Sequence, residues 1–370
     1  MKMHYIGADV DCRMTNLAVD VDGQIVKDFQ VSTTIPCLRA LIESIPRPRV
    51  LTFEEGPLAD WLGRGLRPVV DELVICDPRR NKLISQDGDS DDRIDARKLA
   101  RLLRGGYLRA VYHSDDQRRV LLKQWVGLYH DRVKEAVRQV NKIRGHCWQY
   151  GLRPPRGALR NLQRRSVWLA ELGAHPLVRQ LGMLFLGFDS AAQQVAVSRG
   201  EMVRWSKVYP VVRHWQELPG VGTVRSITVF AYLDTPWRFA NNPHKLWKYC
   251  GVGLERSSSG KDRLGRMKVG QLQLAWRVNR RLKDAVMGAA ISAIQQGRNV
   301  FAEQYERLVH NGLTPSNARH TVARKLLTVM WGMWKTGTRL DLSRVGQACR
   351  HGCNQDNSQV FRATKARGGL

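Results

Sequence analysis

The sequence predicts an α/β layer domain over its first 112 residues, followed by a largely helical remainder. Three observations carry this: period-two apolar alternation through residue 31, a strand–helix repeat to residue 104, and 3.6-residue periodicity in the charged stretches beyond.

Taken in order, HYIGADVD (4–11) and TNLAVDV (15–21) read as strands, and Asp22-Gly23 is the turn pair that closes a hairpin onto a third strand, QIVKDFQV. A helix is expected at 34–45, a strand at 49–54 (RVLTFE), and a helix, LADWLGRGLRPVV, after Gly56-Pro57. A strand at 72–77 (ELVICD) and a helix, GDSDDRIDARKLARLLR, complete the set. The order βββαβαβα is that of the RNase H-like fold, in which the first strand is central.

Residues 113–205 change to long amphipathic helix. VLLKQWVGLYHDRVKEAVRQVNKI and a second run at 176–205 flank a Pro/Gly/Arg break, YGLRPPRGALRN, and predict an antiparallel coiled-coil arm. Trp125, Tyr129, Trp148 and Trp168 mix with arginines here. Such rings either pack a helix pair or stack on unpaired bases, so the arm is read as an oligomerisation or RNA-contacting element.

A mainly α-helical second domain is expected over 206–340. LPGVGTVRSITVFAYL contains a Pro-Gly-x-Gly turn of the helix-hairpin-helix kind, with backbone N–H groups that can face a phosphate. KYCGVGLERSSSGKDRLGRMKVG (248–270) follows, then helices to about 337, with Trp331 and Trp334 closing the core. The tail, 341–370, is polar and expected to be disordered.

The chain has 370 residues and a formal net charge of +27 spread over its whole length, which points to a polyanion such as nucleic acid as partner. No apolar run is long enough to span a membrane, and MKMHYIGADVDC enters a strand without a signal core, so a cytoplasmic location is expected. Seven scattered cysteines suit free thiols, with Cys349, His351 and Cys353 lacking a second ligand pair for zinc.

Against that charge, Asp89, Asp91, Asp92 and Asp95 crowd one helix start. Asp89 and Asp91 suit a cap and the helix dipole. Helical phase puts Asp92 and Asp95 on the stripe of Leu99, Leu102 and Leu103, facing the sheet, with Arg93, Arg97, Arg101 and Arg104 turned away. Asp9, in the central strand, and Glu54, ending the fourth, converge on the same place. Asp11 and Glu55 are weaker flanking candidates, Glu55 facing the other side by strand parity.

Two like charges about 4 Å apart repel by ~4 kcal/mol at an effective dielectric of about 20, so four such acids need cations or raised pKa values. All-oxygen donors select Mg²⁺ or Mn²⁺, and such ions stabilise attacking and leaving oxygens in phosphoryl transfer.

The order GADVD, TFEEG and DDRIDARKLARLLR, then a helical arm, PGVG and SSSGKDRLGRMKVG, resembles the DEDD transposases of bacterial insertion sequences, the IS110 family, over residues 4–340. The resemblance implies a RuvC-like catalytic domain with Asp9, Glu54, Asp92 and Asp95 as its acids. It implies Ser259 as nucleophile, with Ser257 and Ser258 as adjacent alternatives, and a covalent phosphoserine link to DNA. It also implies donor and target DNA as substrates and a structured noncoding bridge RNA as guide. A homo-oligomer, dimer or tetramer, is expected because two duplexes must be cut and exchanged. Lys261, Arg263, Arg266 and Lys268 would hold phosphates near the serine. Two other readings stand beside this one: a Holliday-junction-type nuclease in which water attacks, and a non-catalytic nucleic-acid-binding protein.

Overall fold

The computed structural model describes residues 2–78, 91–114, 116–257, 271–275 and 278–340. Internal contacts divide the chain into two units, Met1–Val120 and Leu121–Leu370.

In the first unit, β1 (His4–Val10), β2 (Met14–Val21) and β3 (Gln24–Ser32) form the expected meander. Asp22 and Gly23 have φ of 54° and 94°, the two left-handed residues that a tight hairpin of this twist needs. Helix α1 (Ile35–Glu43) starts where the Thr34 side chain accepts the Cys37 N–H. Strand β4 (Arg49–Glu54), helix α2 (Ala59–Leu66) with a 3-10 turn at Arg67–Val69, strand β5 (Glu72–Cys76) and helix α3 (Asp92–Arg104) follow. The sheet order is β3-β2-β1-β4-β5, with β1 central, antiparallel to β2 and parallel to β4.

The two faces of this sheet are covered differently. Ile6, Ala8, Leu17, Val19, Leu51, Phe53 and Ile75 pack with Leu38 and Ile42 of α1 and Leu62 and Leu66 of α2 in one apolar core. On the opposite face lies α3, burying Ala96, Leu99, Ala100 and Leu103. Here the contact is backbone to backbone: a Cβ on Gly7 would stand 2.2 Å from the Ala96 carbonyl oxygen and 2.3 Å from the Ala100 nitrogen.

Two of the arginines off the apolar stripe of α3 find carboxylates on the sheet: Arg97 makes a forked ion pair with Asp28 of β3, and Arg104 Nε lies 3.2 Å from Asp20 of β2. Long arginine stems on the helix flank reach down to carboxylates that the meander places beneath them. Asp20 is fully buried, so its cation partner is needed.

In the second unit, α4 (Gln117–Gln149, whose first residues belong to the first unit) and α6 (Leu177–Val208) are two long helices. They run antiparallel: Arg132 donates to Gln194 at 3.0 Å, and Gly187 lies against Gln139. Directly after the Pro/Gly/Arg break comes a further helix, α5 (Leu162–Glu171), capped by the last residue of the break, Asn161. Helices α7 (Pro210–Trp215) and α8 (Thr223–Leu233) are joined through the Pro-Gly-x-Gly turn. Gly220 there has φ of 74° and lies so close to helix α10 (Arg280–Gln296) that a Cβ would stand 2.2 Å from the Ala289 carbonyl oxygen.

Helices α9 (Pro243–Tyr249), α11 (Val300–His310) and α12 (Pro315–Thr336) complete the helical core. Trp215 and Trp334 meet edge to face at 5.4 Å inside it, and the Trp215 and Trp331 indoles donate to the Met330 and Pro236 carbonyls. Leu122 and Val126 of α4 belong to the same core. Strands β6 (Leu254–Ser257) and β7 (Gln271–Leu274) pair antiparallel, a hairpin the sequence did not suggest. The tail at 341–370 lies outside the described residues.

The Gly7 contact makes a prediction. Gly7→Ala destabilises the protein by ~3 kcal/mol, since neither backbone atom can retreat. Gly56→Ala, where nothing lies within 4 Å, shifts stability by less than about 0.5 kcal/mol. Urea unfolding midpoints of the two variants check this.

Candidate functional site

Strand β1 carries Asp9 two residues beyond Gly7 and on the same face, the face under α3. In the parallel β1–β4 pairing Gly7 sits beside Thr52 and Ala8 beside Phe53, so the next step of the register brings Asp9 level with Glu54. Glu54 ends β4 and Asp9 stands one residue before the end of β1, at the same end of the sheet.

Helix α3 descends antiparallel to β1, and its contacts mark its level. Arg104 meets Asp20, which pairs with Tyr5; Arg97 meets Asp28, which lies through Ala18 at the level of Gly7. One further turn toward the helix start reaches Asp95 and Asp92 at the level of Asp9. The apolar stripe gives out there: Asp95 is half-buried and Asp92 exposed. Asp91 is the cap, its side chain accepting the Arg93 N–H, whereas Asp89 lies outside the described residues.

The four acids act on one another. Burial first, then the charges of Asp92, Asp95 and Glu54, push the Asp9 carboxyl up to about 6 from its ordinary 3.8. Lys98 Nζ, 3.7 Å from Asp95, is a nearby cation on the same helix. Asp11 stands apart: it is exposed in the β1–β2 turn, where the N–H groups of Cys12 and Arg13 hold its carboxyl low. Glu55 is half-exposed, its carboxylate 4.0 Å from His113 Nε2, while His113 Nδ1 lies 2.7 Å from Asp60.

Asn16 is a neighbour that sequence reasoning missed. It is the cross-strand partner of Asp9, almost fully buried, and among the described residues its Oδ1 has no hydrogen-bond partner. The signal was available, because the β1–β2 register places residues 9 and 16 side by side once the turn is fixed.

The donor chemistry, three carboxylates around one raised carboxyl, fits a hard divalent cation such as Mg²⁺ or Mn²⁺. Among the described residues, no three His, Cys, Asp or Glu side chains stand close enough to hold an ion as they are. The fit therefore rests on donor type and on the charge converging at Asp9. Asp9, Glu54, Asp92 and Asp95 are the residues that would hold the ion, and its positive charge would relieve their mutual repulsion.

In the second unit the sequence singled out Ser259 and the basic residues Lys261, Arg263, Arg266 and Lys268, with Ser258 adjacent. All lie outside the described residues, between Ser257 and Gln271, the paired ends of β6 and β7. Cys349, His351 and Cys353 also lie outside them. Among the described residues no helix is long and apolar enough to cross a membrane.

The raised Asp9 carboxyl has a consequence for stability. The folded state binds the extra proton between about pH 4 and pH 6, so this contribution is fully present below the ordinary value and is lost as pH rises through about 6. Asp9→Asn in metal-free buffer is therefore more stable than the parent at pH 8, by ~1 kcal/mol once half exposure is discounted, and equal to it at about pH 3.5. Thermal midpoints at the two pH values check the sign.

Comparison with known proteins bears on both units. Residues 6–151 match a family model described as Transposase, and residues 212–306 match the model of the Transposase IS116/IS110/IS902 family. A Sinorhizobium fredii protein named "Putative transposase y4qE" is 24% identical over 314 residues, covering 76% of this chain and 74% of its own length. The first matched domain implies an RNase H-like α/β fold, which agrees with the mixed sheet and its order. A transposase is an enzyme that cuts and transfers DNA, and the chain, carrying these two domains in order, belongs to the IS110 family of transposases.

Proposed function

We propose that the protein excises and inserts its own insertion sequence, using the carboxylates Asp9, Glu54, Asp92 and Asp95 with Mg²⁺ or Mn²⁺, and Ser259 as nucleophile. The observation that carries this reading is the convergence of three carboxylates on Asp9, at the edge of the sheet where both of its strands end. Like charges are gathered there in a chain of formal net charge +27, which suits cation-assisted chemistry on a phosphate chain.

The ion supplies positive charge for phosphoryl transfer. In the serine step, Ser259 Oγ forms a bond to phosphorus as the phosphodiester P–O bond breaks. The serine hydroxyl gives up its proton and the departing deoxyribose oxygen takes one up. The resulting phosphoserine link conserves the bond for rejoining to a second DNA end. Lys261, Arg263, Arg266 and Lys268 neutralise the phosphates on either side. A structured bridge RNA that pairs with donor and target DNA selects the sites, and a dimer or tetramer in the bacterial cytoplasm holds the two duplexes.

Asp95→Ala and Ser259→Ala each lower excision in a cell-based assay by at least ~100-fold, the scale of losing an essential charge or nucleophile. The parent, run on a denaturing gel with labelled element ends, gives a protein–DNA adduct that protease removes, and Ser259→Ala gives none. Excision by Ser259→Ala at parental rates would move the nucleophile elsewhere. Cleavage without an adduct would favour attack by water, and activity indifferent to chelation would leave a binding protein.

A further inference from the structure

The tip of the arm has a core of its own. Ile143, Cys147, Ala158, Leu159, Trp168 and Leu177 pack there with Leu181 and Phe185, Trp168 standing edge-on to Phe185 at 6.4 Å. Arg165 is buried in it, forking onto Asp189 at 2.6 and 2.9 Å, donating to the Leu159 carbonyl at 2.9 Å and lying 4.1 Å over the Phe185 ring. That core is complete without Trp148 and Tyr150, which are 67% and 50% exposed at the end of α4. Neither ring is needed for packing, yet both remain large, flat and open to solvent.

Their surroundings are cationic. Between Glu135 and Glu171 the chain has no Asp or Glu. Arg144, Arg153, Arg156, Arg160, Arg164 and Arg179 are all exposed around the tip. The loop that bears several of them is braced, Arg164 donating to the Arg156 carbonyl at 3.2 Å. Tyr150 is held edge-on against His175, ring centroids 5.3 Å apart, and His175 Nδ1 accepts the Leu177 N–H at 3.1 Å. The ring is thus positioned by the start of α6 before any partner arrives.

Exposed aromatic faces among arginines match a partner that offers flat apolar rings along a polyanionic backbone. A base-paired duplex hides its base faces in the stack, so only an unpaired strand uses both features. We infer that the arm tip is a binding site for unpaired nucleic acid, with Trp148 and Tyr150 stacking on bases and the surrounding arginines on phosphates. The inference rests on the transposase reading, in which nucleic acid is the substrate. RNA loops and single-stranded DNA share this chemistry.

The test uses the full chain and three probes of one sequence: a single-stranded RNA, a single-stranded DNA and the DNA duplex. Trp148→Ala and Tyr150→Ala, checked for folding by circular dichroism, each weaken single-strand binding about tenfold while duplex binding changes less than about twofold. The probe that loses more identifies the strand. Arg153→Ala/Arg156→Ala weakens all three and flattens the salt dependence. Aromatic variants that bind both single strands like the parent would overturn the site, as would equal losses on the duplex. So would a change in mass by light scattering with binding intact, which would make the tip a protein interface. A parent that retains no probe at all would remove the nucleic-acid reading itself, an outcome distinct from failure of the aromatic variants alone.

Discussion

The first unit depends on one contact, the seating of the α3 backbone on Gly7. With no side chain at that position, the Ala96 carbonyl and the Ala100 nitrogen come within the space a Cβ would fill. Two alanines on the helix complete the close approach, and the helix can neither rise nor slide without losing it. The vertical register of α3 against β1 follows, and Arg97 with Asp28 and Arg104 with Asp20 secure the flank. The strand then advances two residues from Gly7 to Asp9, and the helix retreats one turn from Ala96 to Asp92. Both steps lead to the same end of the sheet, where β4 delivers Glu54.

Placing charge there has an electrostatic consequence that the rest of the chain absorbs. Four acids lie together in a molecule with far more Lys and Arg than Asp and Glu. The raised Asp9 carboxyl records their repulsion and its own burial. Several other acids pair singly with an arginine, as in Asp28 with Arg97, Asp71 with Arg47 and Asp189 with Arg165. At the ends of β1 and β4, by contrast, the charges of Asp92, Asp95 and Glu54 converge on Asp9, with Lys98 beside Asp95. In the proposed reaction the basic surface would draw in phosphate chains and the acids would hold a cation, so that the two signs would serve one reaction on DNA.

The first unit was largely legible in the sequence because each of its signals is local. Alternation marks β1 to β3, the Asp22-Gly23 pair fixes their hairpin, and the phase of Asp92 and Asp95 relative to Leu99 follows from helix geometry. What escaped was set by tertiary contact. The phase of Arg97 and Arg104 puts them off the stripe but names no partner for them, and only the meander beneath brings Asp28 and Asp20 within reach of their stems. Asn16 carried no signal of its own until the register with Asp9 was known. In the second unit, β6 and β7 are four residues each, too short and too polar for alternation to stand out. Helix α5 was hidden by the Pro/Gly/Arg composition around it, and Trp168, which sequence left between packing and stacking, is a core residue.

The central claim is that Asp9, Glu54, Asp92 and Asp95 act as one cation site. Titration of the full-length protein with Mn²⁺, read by electron paramagnetic resonance, tests it without any DNA reaction. The account predicts saturable binding that Mg²⁺ competes away, weakened at least ~10-fold by Glu54→Gln and by Asp92→Asn, and unchanged by Asp11→Asn, whose carboxylate stands outside the cluster. Binding that survives both substitutions at parental affinity, or a parent that binds no ion, would contradict it.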